Sequence, residues 1–279
     1  MSAHVSFLAH ERFKWFKLSG WLCLIAIVVY SWYAPIGGRN GGTWVGYGLG
    51  TIGLLLILWL AWLGVKKRGF SSGSHSIKGW TSAHVYLGLS LIIIATLHTG
   101  FEFGWNVHTL AYALMMTVIA SGAYGVFAYL RYPRLMSENM SGASAAGLKK
   151  EMTDLDARIA RLTQRLPDSF AEAARSSLDN TRIGGGFFAL LGGSSAGCGS
   201  ARGRDAARAQ AAQLTDPGQM TVATEFVSSL SRKAEIASRL RKDLSYKALM
   251  DVWLWLHVPL TLGLIASLAA HVLIVFFYW

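Results

Sequence analysis

Residues 84–98 read HVYLGLSLIIIATLH, two histidines bracketing thirteen residues that are mostly Leu, Ile, Val, Ala and Gly. Residues 257–271 read HVPLTLGLIASLAAH and repeat the spacing of 14. Ionisable side chains inside long apolar helices are costly, rare and usually functional. At 3.6 residues per turn, 14 positions fall within about 40° of four full turns, so each histidine pair shares one helix face. A rise of 1.5 Å per residue separates the two members of a pair by about 21 Å. Each helix therefore carries one imidazole towards either side of a membrane.

The rest of the chain supports a membrane setting. Of its 279 residues 53% are hydrophobic and only 15% charged, with a mean hydropathy of +0.37; soluble domains carry about a quarter charged residues. A hydrocarbon core of about 30 Å takes about 20 helical residues to cross. Runs of that order occupy Leu18 to Ala34, Trp44 to Val65, Trp80 to Gly100, Val107 to Leu130 and Asp251 to Tyr278. The first is the shortest. Trp32 and Tyr33 stand where a signal peptide would need small cleavage-site residues, so this run is expected to be a membrane helix.

The net charge of +11 reads as positive-inside bias and not as nucleic-acid binding. Arg12, Lys14 and Lys17 precede the first run, and Lys66, Lys67, Arg68 and Lys78 follow the second. The loop after the first run has only Arg39, and the loop after the third has Glu102 and no Lys or Arg. The expectation is a cytoplasmic N-terminus and a periplasmic C-terminus in a bacterial inner membrane. Cys23 and Cys198 fall at different depths, which disfavours a disulfide. No Cys-x-x-Cys-His occurs, which excludes covalent haem attachment of the c type.

Residues 132–247 differ in character from the flanking segments 1–131 and 248–279. From Arg131 to Met250 there are 18 Lys and Arg against 12 Asp and Glu. Leu148, Met152, Leu155, Ile159, Leu162 and Leu166 repeat with the 3.5-residue period of a coiled-coil seam, and Pro167 ends it. Phe226, Leu230, Leu240 and Leu244 continue the period on a second arm, with Lys233 and Ala237 at intervening seam positions. The expected form is a cytoplasmic helical hairpin between the fourth and fifth membrane helices. Its tip, RIGGGFFALLGGSSAGCGSARGR at 182–204, has no phosphate-loop pattern. It reads as a flexible loop, or as a docking element in which Phe187, Phe188, Leu190 and Leu191 order on a partner.

The third and fifth membrane helices run in the same direction, so His84 shares a depth with His257, and His98 with His271. Two planar cofactors, each held by one histidine from each helix, use all four imidazoles. Two haem b groups fit this ligand set, and the porphyrin supplies apolar area at membrane depth. Zinc fits poorly, because each level offers two nitrogens and no cysteine or carboxylate. The alternative for a lone membrane histidine is an interhelical hydrogen bond. The expected fold is thus all-α, five transmembrane helices forming a diheme bundle.

The paired H-x13-H helices resemble the respiratory cytochrome b proteins and the membrane domains of ferric reductases and NADPH oxidases. The resemblance covers the membrane portion and rests on helix order with His84, His98, His257 and His271. It implies haem iron and transmembrane electron transfer. The chain closes on VFFYW, where those reductases carry flavin and nicotinamide domains, and its insert replaces a short loop. The electron donor and acceptor are therefore expected to be separate proteins or a quinone, one docking on the 132–247 insert. Gly50 and Gly64, also 14 apart, are similar to the glycine pairs that flank cytochrome b haems, with ordinary helix packing as their other reading. Gly88 shares both readings. Arg39 is the outer candidate for a haem propionate, near His108 and Trp105, and Lys78 and Lys247 are the inner ones. His108 reads as a helix-start residue, and His4, His10 and His75 as surface residues. No catalytic constellation stands out, so any enzymatic role is that of an electron-transfer subunit in an oxidoreductase complex. Two alternatives remain: a quinol-oxidising or quinone-reducing anchor subunit, and a haem-free scaffold recruiting partners through the hairpin.

Overall fold

The computed structural model describes residues 7–68, 77–186, 189–190 and 198–277. The described residues are helical, with no strand among them, and fall into two compact units. One comprises Met1–Val126 with Trp253–Trp279, the other Phe127–Val252. The composition change at 131/132 and 247/248 lies within five residues of these divisions.

The first unit contains α1 (Lys14–Trp32), α2 (Trp44–Arg68), α3 (Ile77–Thr99), the start of α4 (Val107–Met140) and the end of the final helix, α8 (Pro217–Phe277). Among the described residues five helices are long and apolar enough to cross a membrane, the mark of an integral membrane protein. Helix α3 packs against both α1 and α2. Its Ala83, Leu87 and Leu91 are buried with Ile57 and Leu60 of α2, Met115 of α4 and Leu264 of α8. Outward, Trp21, Leu55, Trp62, Trp255, Leu262 and Phe276 stay exposed. Helices apolar all round suit hydrocarbon, where each backbone must satisfy its own hydrogen bonds. Two buried hydroxyls obey the same demand: Ser90 donates to the Leu87 carbonyl at 2.7 Å, and Ser267 to that of Leu264 at 2.9 Å.

The second unit is built on α5 (Ala145–Thr163) and the first part of α8. Each begins on a side-chain cap. The Ser144 hydroxyl accepts from Gly147 N at 2.9 Å, and an Asp216 carboxylate oxygen accepts from Gln219 N at 2.8 Å, with Pro217 at the first helical position. Arg232 pairs with Glu151, and Arg158 with Glu225. Numbering falls on α8 as it rises on α5, so the two helices are antiparallel. Between them lie α6 (Ala171–Asp179) and α7 (Gly199–Ala211). Leu148, Met152, Ile159, Leu162 and Leu166 of the first seam are buried, as are Phe226, Leu230, Ala237 and Leu240 of the second. Phe170 and Phe226 meet edge to face at 5.7 Å in the core.

Three features differ from the expected plan. The second arm and the fifth membrane helix are one helix, because Lys242 to Met250 contains no Gly or Pro to break it. Helix α4 likewise continues past Leu130 and through Pro133 to Met140. In the expected tip, residues 199–204 are helical, not loop. There Gly199 and Gly203 let α7 approach α6 so closely that a Cβ at either would strike the Ser176 or Ala173 carbonyl. Phe187, Phe188 and Leu191 lie outside the described residues, while the Leu190 carbonyl accepts from Ser245 Oγ at 2.7 Å. Leu244, placed in the seam by its period, remains exposed.

Candidate functional site

The first unit brings His84 of α3 beside His257 of α8, with ring centroids 6.4 Å apart and planes at 60°. His98 lies beside His271, with centroids 6.0 Å apart and planes at 85°. Two levels of facing imidazoles result, because α3 and α8 run parallel and each holds its pair on one face.

The Nδ1 atom of every one of these rings is engaged by the protein. His84 Nδ1 contacts the Leu60 carbonyl at 3.2 Å, and His98 Nδ1 the Gly46 carbonyl at 2.8 Å. A carbonyl only accepts, so both rings carry their proton on Nδ1. His257 Nδ1 lies 2.7 Å from Ser121 Oγ, whose own proton goes to the Val118 carbonyl at 2.8 Å. The hydroxyl therefore accepts, and His257 has the same tautomer. His271 Nδ1 is in hydrogen-bond contact with His108 Nδ1, the rings edge to face with centroids 4.4 Å apart. In metal-binding histidines a bond of this kind at Nδ1 orients Nε2 as the ligand atom.

Helix α4 supplies no member of either pair but forms a seat for one. A Cβ at Gly122 would lie 3.4 Å from the His257 ring, and one at Gly125 would collide with the indole of Trp253. Trp253 sits one turn before His257, with ring centroids 5.5 Å apart. At the other level α2 does the equivalent. A Cβ at Gly50 would lie 2.7 Å from His98 Cε1, and one at Gly41 would lie 3.4 Å away. Gly50 is thus a close-approach glycine against a histidine ring. Gly88 faces only Leu60, at 4.0 Å, and serves helix packing. Gly64 is a position of α2 whose surroundings lie outside the described residues.

A cavity of about 560 Å³ opens beside His98 and His271. Gly50, Gly53, Leu91, Ala95 and Leu268 line its apolar part, and Asn40, Glu102, Asn106 and His108 its polar part. That volume is typical of small-molecule and cofactor sites. Arg39 is engaged by the end of α1. Its Nε donates to the Tyr33 carbonyl at 2.7 Å and a terminal nitrogen to that of Ser31 at 2.9 Å, capping α1. Asn40, next in the chain, lines the cavity instead. Lys78 is exposed at the start of α3, and Lys247 belongs to the other unit. His10 packs over Gly79, while His4 and His75 lie outside the described residues.

The donor set narrows what could be held here. Among the described residues no three His, Cys, Asp or Glu side chains converge as a metal site. Two nitrogens per level suit an ion whose other ligands come from its own macrocycle. A haem iron held by one nitrogen of each ring would place the ring centroids about 6 Å apart, from bonds of about 2 Å and about 1 Å from each nitrogen to its ring centre. The centroid separations of 6.4 and 6.0 Å are compatible with that spacing.

No family model, no curated protein and no solved structure matches this chain.

Sequence reasoning found the four histidines but not Ser121, Gly122, Gly125 or the bond between His108 and His271. Ser121 and His257 are separated by 136 positions and His108 and His271 by 163, so no local pattern announces either contact.

Proposed function

We propose that this chain is a diheme membrane cytochrome of the b type, carrying electrons across the bilayer between separate redox partners. The observation that carries this reading is the pair of imidazole gaps, both of haem-spanning width and both built from rings held at Nδ1. His84 and His257 would hold one haem, and His98 and His271 the other. When bound, each iron supplies reversible one-electron exchange. The residues around it orient the imidazoles, keep water out and set ligand basicity. Gly50 and Gly41 leave room beside the outer ring, and Asn40 and Asn106 offer polar partners where the cavity meets the interface.

In this reading the basic segments before α1 and after α2 face the cytoplasm, which puts the His84 level inside and the His98 level outside. The 127–252 unit then lies in the cytoplasm as a docking module, and its surplus of Lys and Arg favours an acidic partner. A second reading, quinol oxidation or quinone reduction at the outer level, draws on Glu102 and His108 at the cavity beside His271. An absorption spectrum of the purified chain tests the cytochrome reading, with split α-bands of reduced b-type haem as the expected result. A folded chain without such bands would support a haem-free scaffold. Reduction of the haems by a quinol analogue in the absence of any protein partner would favour the second reading.

A further inference from the structure

The start of α1 forms a groove with α3 that the cofactor reading does not use. Phe13, Phe16 and Lys17 line it with Tyr86, enclosing about 400 Å³. Its walls are fixed in place. Tyr86 donates its hydroxyl to the Leu8 carbonyl at 3.1 Å, and Phe16 meets the Tyr86 ring edge-on at 5.5 Å. Lys14 is ion-paired with Glu11 at 3.1 Å, whereas Lys17 has no ion pair among the described residues.

Helix α1 has 19 residues, so it is about 28 Å long, close to the thickness of the hydrocarbon core. Lys17 stands one turn inside its amino-terminal end, about 5 Å along the axis. That depth is where acyl chains meet headgroups, and a lysine there lays its methylenes on apolar surface and extends its ammonium to the polar layer.

We propose that this groove binds one anionic phospholipid, an acyl chain lying along Phe13, Phe16 and Tyr86 and its phosphate on Lys17 Nζ. Free phosphate would neutralise Lys17 but leave the aromatic walls uncovered. A phospholipid meets both needs, and net negative charge on its headgroup adds to the attraction. The inference stands on the membrane-spanning character of α1 and is independent of haem.

The test is native mass spectrometry of the full chain released from nanodiscs of equal phosphatidylglycerol and phosphatidylcholine with identical acyl chains. The expected result is one retained phosphatidylglycerol, favoured about fivefold, the factor one interfacial lysine confers. Lys17→Gln should abolish the preference, Lys14→Gln should keep it, and Phe16→Ala should lower retention of both lipids. Equal retention by the unmodified chain, a preference that survives Lys17→Gln, displacement by inorganic phosphate, or a chain dimer in place of the lipid would each overturn the proposal.

Discussion

His257 donates its Nδ1 proton to Ser121 Oγ across 2.7 Å, joining the ring on α8 to α4. Ser121 can accept because its own proton is committed to the Val118 carbonyl. The ring is held at one edge by this bond and lies tilted against Trp253, which is seated over Gly125.

Ser121→Ala should therefore alter one haem and leave the other alone. Losing the acceptor makes the imidazole less basic and so raises the iron potential. A neutral hydrogen bond worth about 1 kcal/mol corresponds to about 40 mV for one electron. Potentiometric titration should show one haem shifted upward by that order, with Ser121→Thr restoring it. A shift in both haems, or in neither, would remove Ser121 from its positioning role.

Gly50→Ala should disturb the His98–His271 level specifically, because the added Cβ lies 2.7 Å from His98 Cε1. One haem should be lost or shifted in the reduced spectrum. Gly48→Ala, two positions away with nothing within 4 Å of its Cβ, should keep both haems.

The membrane spans were legible because length and unbroken apolarity decide them, and the paired histidines because an imidazole is conspicuous against Leu and Ile. The α5 seam was legible in its 3.5-residue period. Helix α7 was not. Gly, Ser and Ala around Cys198 read as loop, and helix forms there because Gly199 and Gly203 pack against α6, where tertiary contact outweighs glycine's low propensity. The continuity of α8 was obscured by its change of solvent. Charged residues up to Asp251 and apolar ones beyond look like two elements, although no breaker separates them. The hydrogen bonds of Arg39 to the Tyr33 and Ser31 carbonyls, which cap α1, were not legible either, because they depend on how the chain turns after Trp32.

In the second unit Lys233 is 1% exposed, with Nζ 2.5 Å from Asp156 Oδ1 and donating to the Ser177 carbonyl at 2.6 Å. Removing Asp156 leaves the buried ammonium with the Ser177 carbonyl but no counter-charge; because Asp156 is itself 37% exposed, the cost falls below the about 3–5 kcal/mol of a fully buried pair. Lys233→Met removes the buried charge itself and should cost much less. Hydrogen exchange across Phe226 to Leu230 should accelerate strongly in Asp156→Ala and only slightly in Lys233→Met. The reverse order would show that the ion pair is not what holds α5, α6 and α8 in register.

The Arg232 guanidinium, hydrogen-bonded to Glu151, holds that carboxyl below the usual glutamate range. A carboxyl depressed in the folded state stabilises the fold above its unfolded value and loses that contribution as pH falls through the folded one. Pairing of α5 with α8 should therefore loosen on acidification below the ordinary glutamate range. Glu151→Gln should flatten that part of the exchange profile. Because both side chains are substantially exposed, the effect is small and should shrink further in high salt.

A pyridine haemochrome assay against protein concentration, applied to the purified chain and its four His→Leu variants, tests haem content and pairing together. The expected result is two haem b per chain, falling to one in each variant. His84→Leu and His257→Leu should share one residual spectrum, and His98→Leu and His271→Leu the other. A folded, monodisperse chain without haem would falsify the cytochrome reading. Matching spectra for His84→Leu and His271→Leu, distinct from the other two variants, would contradict the pairing of α3 with α8.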